Sequence, residues 1–144
     1  MKRGVVWHHS AGADGVTRDW TAICRYHFEV NGWDPPCGYH LGLELVGSVY
    51  KPQLGREPHR KGAHAGVEEY NREWLGICVV GNFEVTKPSL DLLDAIEELQ
   101  KQLEAAKWVG AYRLGHRDVK VTLCPGTHLY TALAQRQFWR SPSL

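Results

Sequence analysis

Apolar positions along this chain change period several times, and each change marks an element. Residues 4–8 form a short run in which Val5, Val6 and Trp7 favour β structure, which predicts a buried strand. The run ends in His8 and His9, followed by a glycine-bearing loop over residues 10–15, a common setting for functional side chains. From residue 17 the period becomes helical. Trp20, Ile23, Cys24, His27 and Phe28 recur at three- and four-residue spacing to about residue 31, with Thr17 as N-cap and Gly32 as the stop. His27 on that face reads as a packed core histidine. Asp34, Pro35, Pro36, Cys37 and Gly38 then break the chain. Residues 39–46 alternate as a strand, with Tyr39, Leu41, Leu43 and Leu45 on one face and His40 and Glu44 on the other. Gly47 and Ser48 turn it back through Val49 and Tyr50 as a hairpin.

Residues 51–72 are polar and broken by Gly55, Pro58, Gly62 and Gly66, which predicts a long loop carrying Arg56, His59, His64, Glu68, Tyr70 and Asn71. Residues 74–82 are continuously apolar and flanked by glycine, as in a strand covered on both faces. Residues 86–107 read as the longest helix. Leu92, Leu93, Ile96, Leu99, Leu103 and Ala106 form its buried stripe, and Asp91, Asp94, Glu97, Glu98, Lys101, Gln102 and Glu104 its solvated face. A short strand at residues 112–114 and an amphipathic helix from Thr127 to about residue 137, with Leu129, Tyr130 and Leu133 inside, complete the chain. Buried strands interleaved with helices predict an α/β fold, a mixed central β-sheet flanked by helices.

Composition keeps that picture within one soluble domain. The 144 residues suit a single domain, with a core at about residues 4–135, and 43% hydrophobic with 23% charged residues is ordinary for a globular protein. A formal net charge of +1 gives no electrostatic pointer to nucleic acid. No apolar stretch reaches the length of a membrane helix, so no membrane insertion is expected. The N-terminus has two basic residues but no long apolar segment, so no secretory signal is visible and a protein held in a host cytoplasm until release is expected. The four cysteines do not have the spacing of a small disulfide scaffold; Cys24 and Cys78 read as small buried hydrophobes, and Cys37, in its loop, has an open role.

Candidate chemistry gathers near the end of the chain. His116 and Cys124 lie eight positions apart in a segment bounded by Gly115 and by Pro125 and Gly126, so both can face one point. A third ligand then comes from the first strand. Side chains alternate along a strand, so only one of His8 and His9 can join, and His8 is the candidate. Two imidazoles and a thiolate make a zinc site that leaves a fourth position open, as a hydrolase requires. A fourth protein ligand, His9 or His40, would instead make a structural site.

Several blocks occur in one order along the chain: Val5 through Gly12, Gly38-Tyr39-His40, Gly62-Ala63-His64-Ala65, Asn71 with Gly76 through Phe83, and Gly115 through Val119 with Thr122 and Cys124-Pro125-Gly126. Together they resemble the type 2 N-acetylmuramoyl-L-alanine amidases, a superfamily that includes bacteriophage T7 lysozyme and the animal peptidoglycan recognition proteins. The resemblance implies a peptidoglycan recognition protein/amidase-like domain with a groove for the glycan and stem peptide of peptidoglycan. It implies one Zn2+ per chain, held by His8, His116 and Cys124. Tyr39 matches the family tyrosine near the metal. Thr122 stands where the phage enzyme has lysine and amidase-active recognition proteins have threonine. Tyr39 and Thr122 are therefore the expected catalytic donors to an oxyanion, and a threonine hydroxyl supplies no cation there. Recognition-only members tend to carry serine, and recycling amidases aspartate, where this chain has Cys124, which favours an active lytic enzyme.

The expected function is thus a monomeric, zinc-dependent amidase that cleaves between the lactyl group of N-acetylmuramic acid and L-alanine, serving as a phage or prophage endolysin. Arg56, His64 and Asn71 are the expected substrate contacts. The alternative is a module that binds muropeptide without cutting it.

Overall fold

A computed structural model describes residues 1–11 and 19–142. Its elements, in order, are β1 (Lys2–His9), α1 (Trp20–Glu29), β2 (Leu41–Val46), β3 (Val49–Leu54), α2 (Glu68–Glu73), β4 (Leu75–Val79), α3 (Leu90–Ala105), β5 (Val109–Gly115), one 3-10 turn (His116–Asp118) and α4 (Thr127–Gln135). The sheet order is β3-β2-β4-β1-β5. Strand β1 lies between β4 and β5, parallel to both, and β2 is parallel to β4. The β2–β3 hairpin is antiparallel, so the sheet is mixed.

The alternation of β1 divides the molecule into two layers. Val5 and Trp7 face a core built with Leu41, Leu43, Leu75, Ile77 and Val79 from the sheet and Leu92, Ile96, Leu99, Leu129 and Leu133 from α3 and α4. Each fully buried side chain of that set contributes roughly 1.5–3 kcal/mol of transfer free energy. One polar chain crosses it: the Trp7 indole N–H donates to Gln100 Oε1 at 3.1 Å, and Gln100 Nε2 donates to Glu104 at 2.9 Å. Glu104, expected on the solvated face, also pairs with Arg113 at 3.1 Å. Val6 and His8 point to the other layer, where Trp74 and Leu114 make one cluster and Trp20, Cys37 and Cys78 another.

Several boundaries differ from the sequence reading for identifiable reasons. Thr17 lies outside the described residues, and Asp19 caps α1 by accepting from Ala22 N at 2.8 Å. Helix α3 begins after Pro88 rather than at Thr86, because Ser89 accepts from Leu92 N. Strand β3 continues to Leu54 through Pro52, which an edge strand tolerates. The expected loop 51–72 therefore loses its first residues to β3 and its last to α2. Strand β5 starts at Val109, three residues earlier than expected.

Leu45 is 52% exposed, since the tip of the hairpin projects past the core that holds Leu41 and Leu43. Tyr39 precedes β2 and packs with the Trp20, Cys37 and Cys78 cluster, so it does not share the face of Leu41 and Leu43. Cys24 is not a lone apolar residue: it is bonded to Cys37, tying α1 to the segment that leads into Tyr39.

Candidate metal centre

Two of the parallel strands, β1 and β5, deliver the site at their C-terminal ends. The next-to-last residue of β1 is His8, which is 1% exposed and faces the α1 layer. His9, pointing the other way, accepts from Phe83 N at its Nδ1 at 3.0 Å. Strand β5 runs directly into the 3-10 turn that begins at His116. Asp118 holds that turn, accepting from Gly115 N at 2.9 Å and from the Tyr130 hydroxyl at 2.7 Å. The loop to Cys124 is closed by Arg117, whose backbone N–H donates to Cys124 O at 2.9 Å and whose guanidinium donates to Leu123 O. Thr122 Oγ1 accepts from Cys124 N at 3.2 Å. These tethers bring ligand atoms of His8, His116 and Cys124 to within 4.8 Å of one another.

The ring tautomers follow from the partners. His64 Nε2 lies 3.1 Å from Trp74 O. A carbonyl only accepts, so His64 carries its proton on Nε2 and leaves Nδ1 as an acceptor. That Nδ1 is 3.0 Å from His8 Nε2, which must therefore be the donor. His8 is left with an unprotonated Nδ1, and this is the atom 3.7 Å from Cys124 Sγ. By the same reasoning His116 donates from Nε2 to Ala65 O at 2.8 Å, which frees its Nδ1. Both imidazoles thus present a lone pair to the cluster, with the second nitrogen fixed by a hydrogen bond, as metal-bound histidines require.

Electrostatics agree. Burial, reinforced by His64, holds His8 well below the ordinary histidine value. Burial likewise lowers His64 to about 3 and depresses His116. It pushes the Cys124 thiol up to about 12. A divalent ion held by the cluster would reverse the thiol's preference. The donor set fits zinc: two neutral nitrogens and one sulfur, and no fourth protein ligand grouped with them among the described residues. His40 cannot supply one. Its Nε2 donates to Arg60 O at 2.8 Å and its Nδ1 accepts from Gly76 N at 3.0 Å.

The remaining expected residues occupy different places. Tyr39 stacks at a tilt on His8, ring centroids 5.1 Å apart, and its phenol interacts with the Cys78 side chain. Burial, then the Cys78 and Cys124 thiols, raise that phenol well above the usual tyrosine range, so it keeps its proton. His64 lies beneath His8 rather than along an open groove, its ring packed on Gly76, where a Cβ would come within 2.3 Å. Asn71 Oδ1 accepts from His64 N at 2.8 Å and Ala65 N at 2.7 Å, which fixes the segment carrying both the His64 ring and the carbonyl that His116 uses. Arg56 is 6% exposed and donates to Lys61 O and Asp34 O. Sequence reasoning missed the orienting carbonyls of Ala65 and Trp74 and the sulfur of Cys78. The first two are backbone groups that carry no residue signature.

The sequence profile of the N-acetylmuramoyl-L-alanine amidases matches residues 2–127. Peptidoglycan-recognition protein SD of Drosophila simulans is 36% identical over 144 residues, spanning 96% of this chain and 75% of its own length. The crystal structure of Drosophila peptidoglycan recognition protein SD superposes with a TM-score of 0.79 at 30% identity, over 99% of this chain and 85% of the other. An endolysin amidase of Clostridium intestinale gives 0.73 at 23% identity, over 94% and 84%, a likeness of fold alone. The mixed five-stranded sheet flanked by helices is the fold these proteins share. The expected retention in a host cytoplasm is overturned by the relatives, since insect peptidoglycan-recognition proteins are extracellular. The Cys24–Cys37 disulfide agrees with that correction, because such bonds persist in oxidising compartments.

Proposed function

The chain belongs to the N-acetylmuramoyl-L-alanine amidase family, and from that premise we propose that it is a zinc-dependent amidase of peptidoglycan. The bond cleaved is the amide between the lactyl group of N-acetylmuramic acid and L-alanine. The observation that carries the reading is the three-ligand cluster of His8, His116 and Cys124, whose open side has no protein ligand among the described residues. Structural zinc sites close all four positions, and hydrolytic ones leave one for water or substrate.

His8, His116 and Cys124 would hold one zinc ion, which when bound supplies an acidified water and polarises a carbonyl. The chain's own groups do the rest. The His64 and Ala65 acceptors fix both rings. Tyr39 remains a protonated donor at neutral pH because its phenol is raised, and it suits the oxygen on which charge develops. Thr122 is the second donor: its oxygen accepts from Cys124 N, and its own proton has no protein acceptor among the described residues. Asn71 and Arg56 contribute to substrate binding by shaping the 56–71 segment beside the site. A monomer with this centre can act as a lytic amidase, as Cys124 in the ligand set suggests.

Purified protein loaded with zinc should release new L-alanine amino termini from peptidoglycan. Cys124→Ser and His116→Ala should each reduce that release by at least about 100-fold, on the scale of lost transition-state groups. Cleavage by either variant at the parent rate would sink the assignment. A second reading, a recognition module without turnover, is supported by the names of the insect relatives. Its signature would be muropeptide binding with no zinc-dependent release of amino termini.

A further inference from the structure

The N-terminal end of strand β1 has its own chemistry. Lys2 and His8 stand at the two ends of β1, six residues and thus roughly 20 Å apart. Around Lys2 lies a cleft of about 630 Å³ whose lining includes Lys2, Arg3, Arg72, Lys107, Glu73 and Trp108. It is large enough for a disaccharide-sized ligand. Four cationic side chains meet one carboxylate there, on a protein whose formal net charge is only +1.

Lys2 is the unusual member. It is 8% exposed, and its ammonium donates to the carbonyls of Arg72 at 2.6 Å and Arg60 at 2.9 Å. No carboxylate lies within 4.0 Å of it among the described residues, and burial lowers it from the ordinary lysine value. A nearly buried ammonium with two neutral acceptors retains both a donor and an uncompensated charge. Arg3 and Arg72 make only long exposed pairs of 3.8 Å with Glu69 and Glu68, and Lys107 makes none among the described residues. Such exposed pairs are weak and exchange readily for a better anion. Trp108, fixed beside Lys2 by the bond from Lys2 N to Trp108 O, is 40% exposed and offers an indole to the cleft.

We propose that this cleft binds a sugar phosphate, with the phosphate on Lys2, Arg72 and Lys107, a pyranose face on Trp108 and hydroxyls on Glu73. The single carboxylate selects among anions: it accepts from hydroxyls and repels a polyphosphate. The single indole offers one face, which suits a sugar ring. The site is independent of the metal centre and of whether the protein cleaves peptidoglycan.

The test is a chemical-shift titration of the full chain with glucose 1-phosphate, glucose, inorganic phosphate and a nucleoside diphosphate. Glucose 1-phosphate should shift the amides of residues 2–3, 72–73 and 107–108, and bind at least about tenfold more tightly than glucose or phosphate alone, the scale of one charge-assisted hydrogen bond. The Arg72→Gln/Lys107→Gln double variant, changed only at exposed positions, should lose at least about tenfold while melting at the parent temperature. A sugar-phosphate polymer in parallel separates sources: tighter binding per unit assigns a surface glycan, equal binding a free metabolite. Shifts scattered over the basic surface, equal binding of glucose, or tighter binding of the nucleoside diphosphate would each overturn the proposal.

Discussion

Replacing His64 with leucine tests the logic of the metal centre without touching a ligand. The ring of His64 does two things: Nε2 donates to Trp74 O, and Nδ1 accepts the His8 proton. Leucine fills a similar volume and does neither. The His8 Nε2–H then has no acceptor in a site where His8 is 1% exposed. An unmade buried hydrogen bond of this kind costs about 1–3 kcal/mol. His8 can escape the cost by moving its proton to Nδ1, but that protonates the lone pair aimed at the cluster. Either way the penalty falls on the metal-binding form. Zinc affinity should drop by roughly 10–100-fold, as for other groups that orient metal-bound histidines. That range converts to about 1.4–2.7 kcal/mol, matching the hydrogen-bond estimate. Competition against a fluorescent chelator measures it. His64→Gln, which keeps an acceptor oxygen, should recover most of the loss. Nitrogen NMR of the metal-free protein should show the His8 proton on Nε2 in the parent and redistributed in His64→Leu. Zinc affinity within about threefold of the parent in His64→Leu would refute the tautomer argument.

Three further outcomes follow from the same contacts. Gly76→Ala places a Cβ 2.3 Å from the His64 ring, so it should reproduce the His64→Leu loss of zinc affinity at a residue with no functional group; chelator competition on the two variants compares them. Burial lowers His40 to about 4, against partial opposition from the Arg60 carbonyl and with help from Lys2 and Arg56, so its contribution to stability is complete above pH about 6.5 and is lost as pH falls towards 4. Urea unfolding at pH 7 and pH 4 should differ by at least about 3 kcal/mol, since His27 is lowered to about 4 in the same sense, and a flat profile would contradict it. Removing the Cys24–Cys37 bond, which spans a sequence separation of 13, should cost about 2–3 kcal/mol in unfolding free energy; a Cys24→Ser/Cys37→Ser variant as stable as the parent would contradict that.

The sheet and its helices were legible because their signals are local. Residues 74–82 are apolar without interruption, and β4 is buried at every position. The stripe of α3 recurs at helical spacing, and all five of its leucine and isoleucine positions from Leu92 to Leu103 are buried. Where the reading failed, the deciding partner was remote in sequence. Pro52 continues a strand because β3 is an edge, which depends on the whole sheet order. Asn71 looked like a loop residue free to meet substrate, yet its oxygen receives two backbone N–H groups at the bend bearing His64. Arg56 is polar by composition and buried by context, because the carbonyls of Asp34 and Lys61 turn towards it. Cys24 sits at a helical apolar spacing that does not distinguish a packed thiol from one bonded to Cys37.

The open side of the cluster is where amidase and recognition module part, and the histidines around it bear on the choice. A site meant only to hold the fold together could draw on His9, next to His8, or on His40, next to Tyr39. Neither is available: His9 is turned by strand alternation to Phe83 N, and His40 bridges Arg60 O and Gly76 N with both ring nitrogens. The chain thus places ligand-type side chains close by and uses each of them elsewhere. Tyr39, held protonated by burial, packs against His8, and Thr122, which accepts from Cys124 N, has no protein acceptor for its own proton among the described residues. In the proposed reading these two groups act as neutral donors, which add little to the binding of an already stable muropeptide. They favour an oxygen that becomes more negative as a bond breaks. The two readings therefore differ in kinetics. If Tyr39→Phe and Thr122→Val lower turnover far more than they weaken muropeptide binding, the donors act on the transition state. Equal losses in both would return the site to recognition.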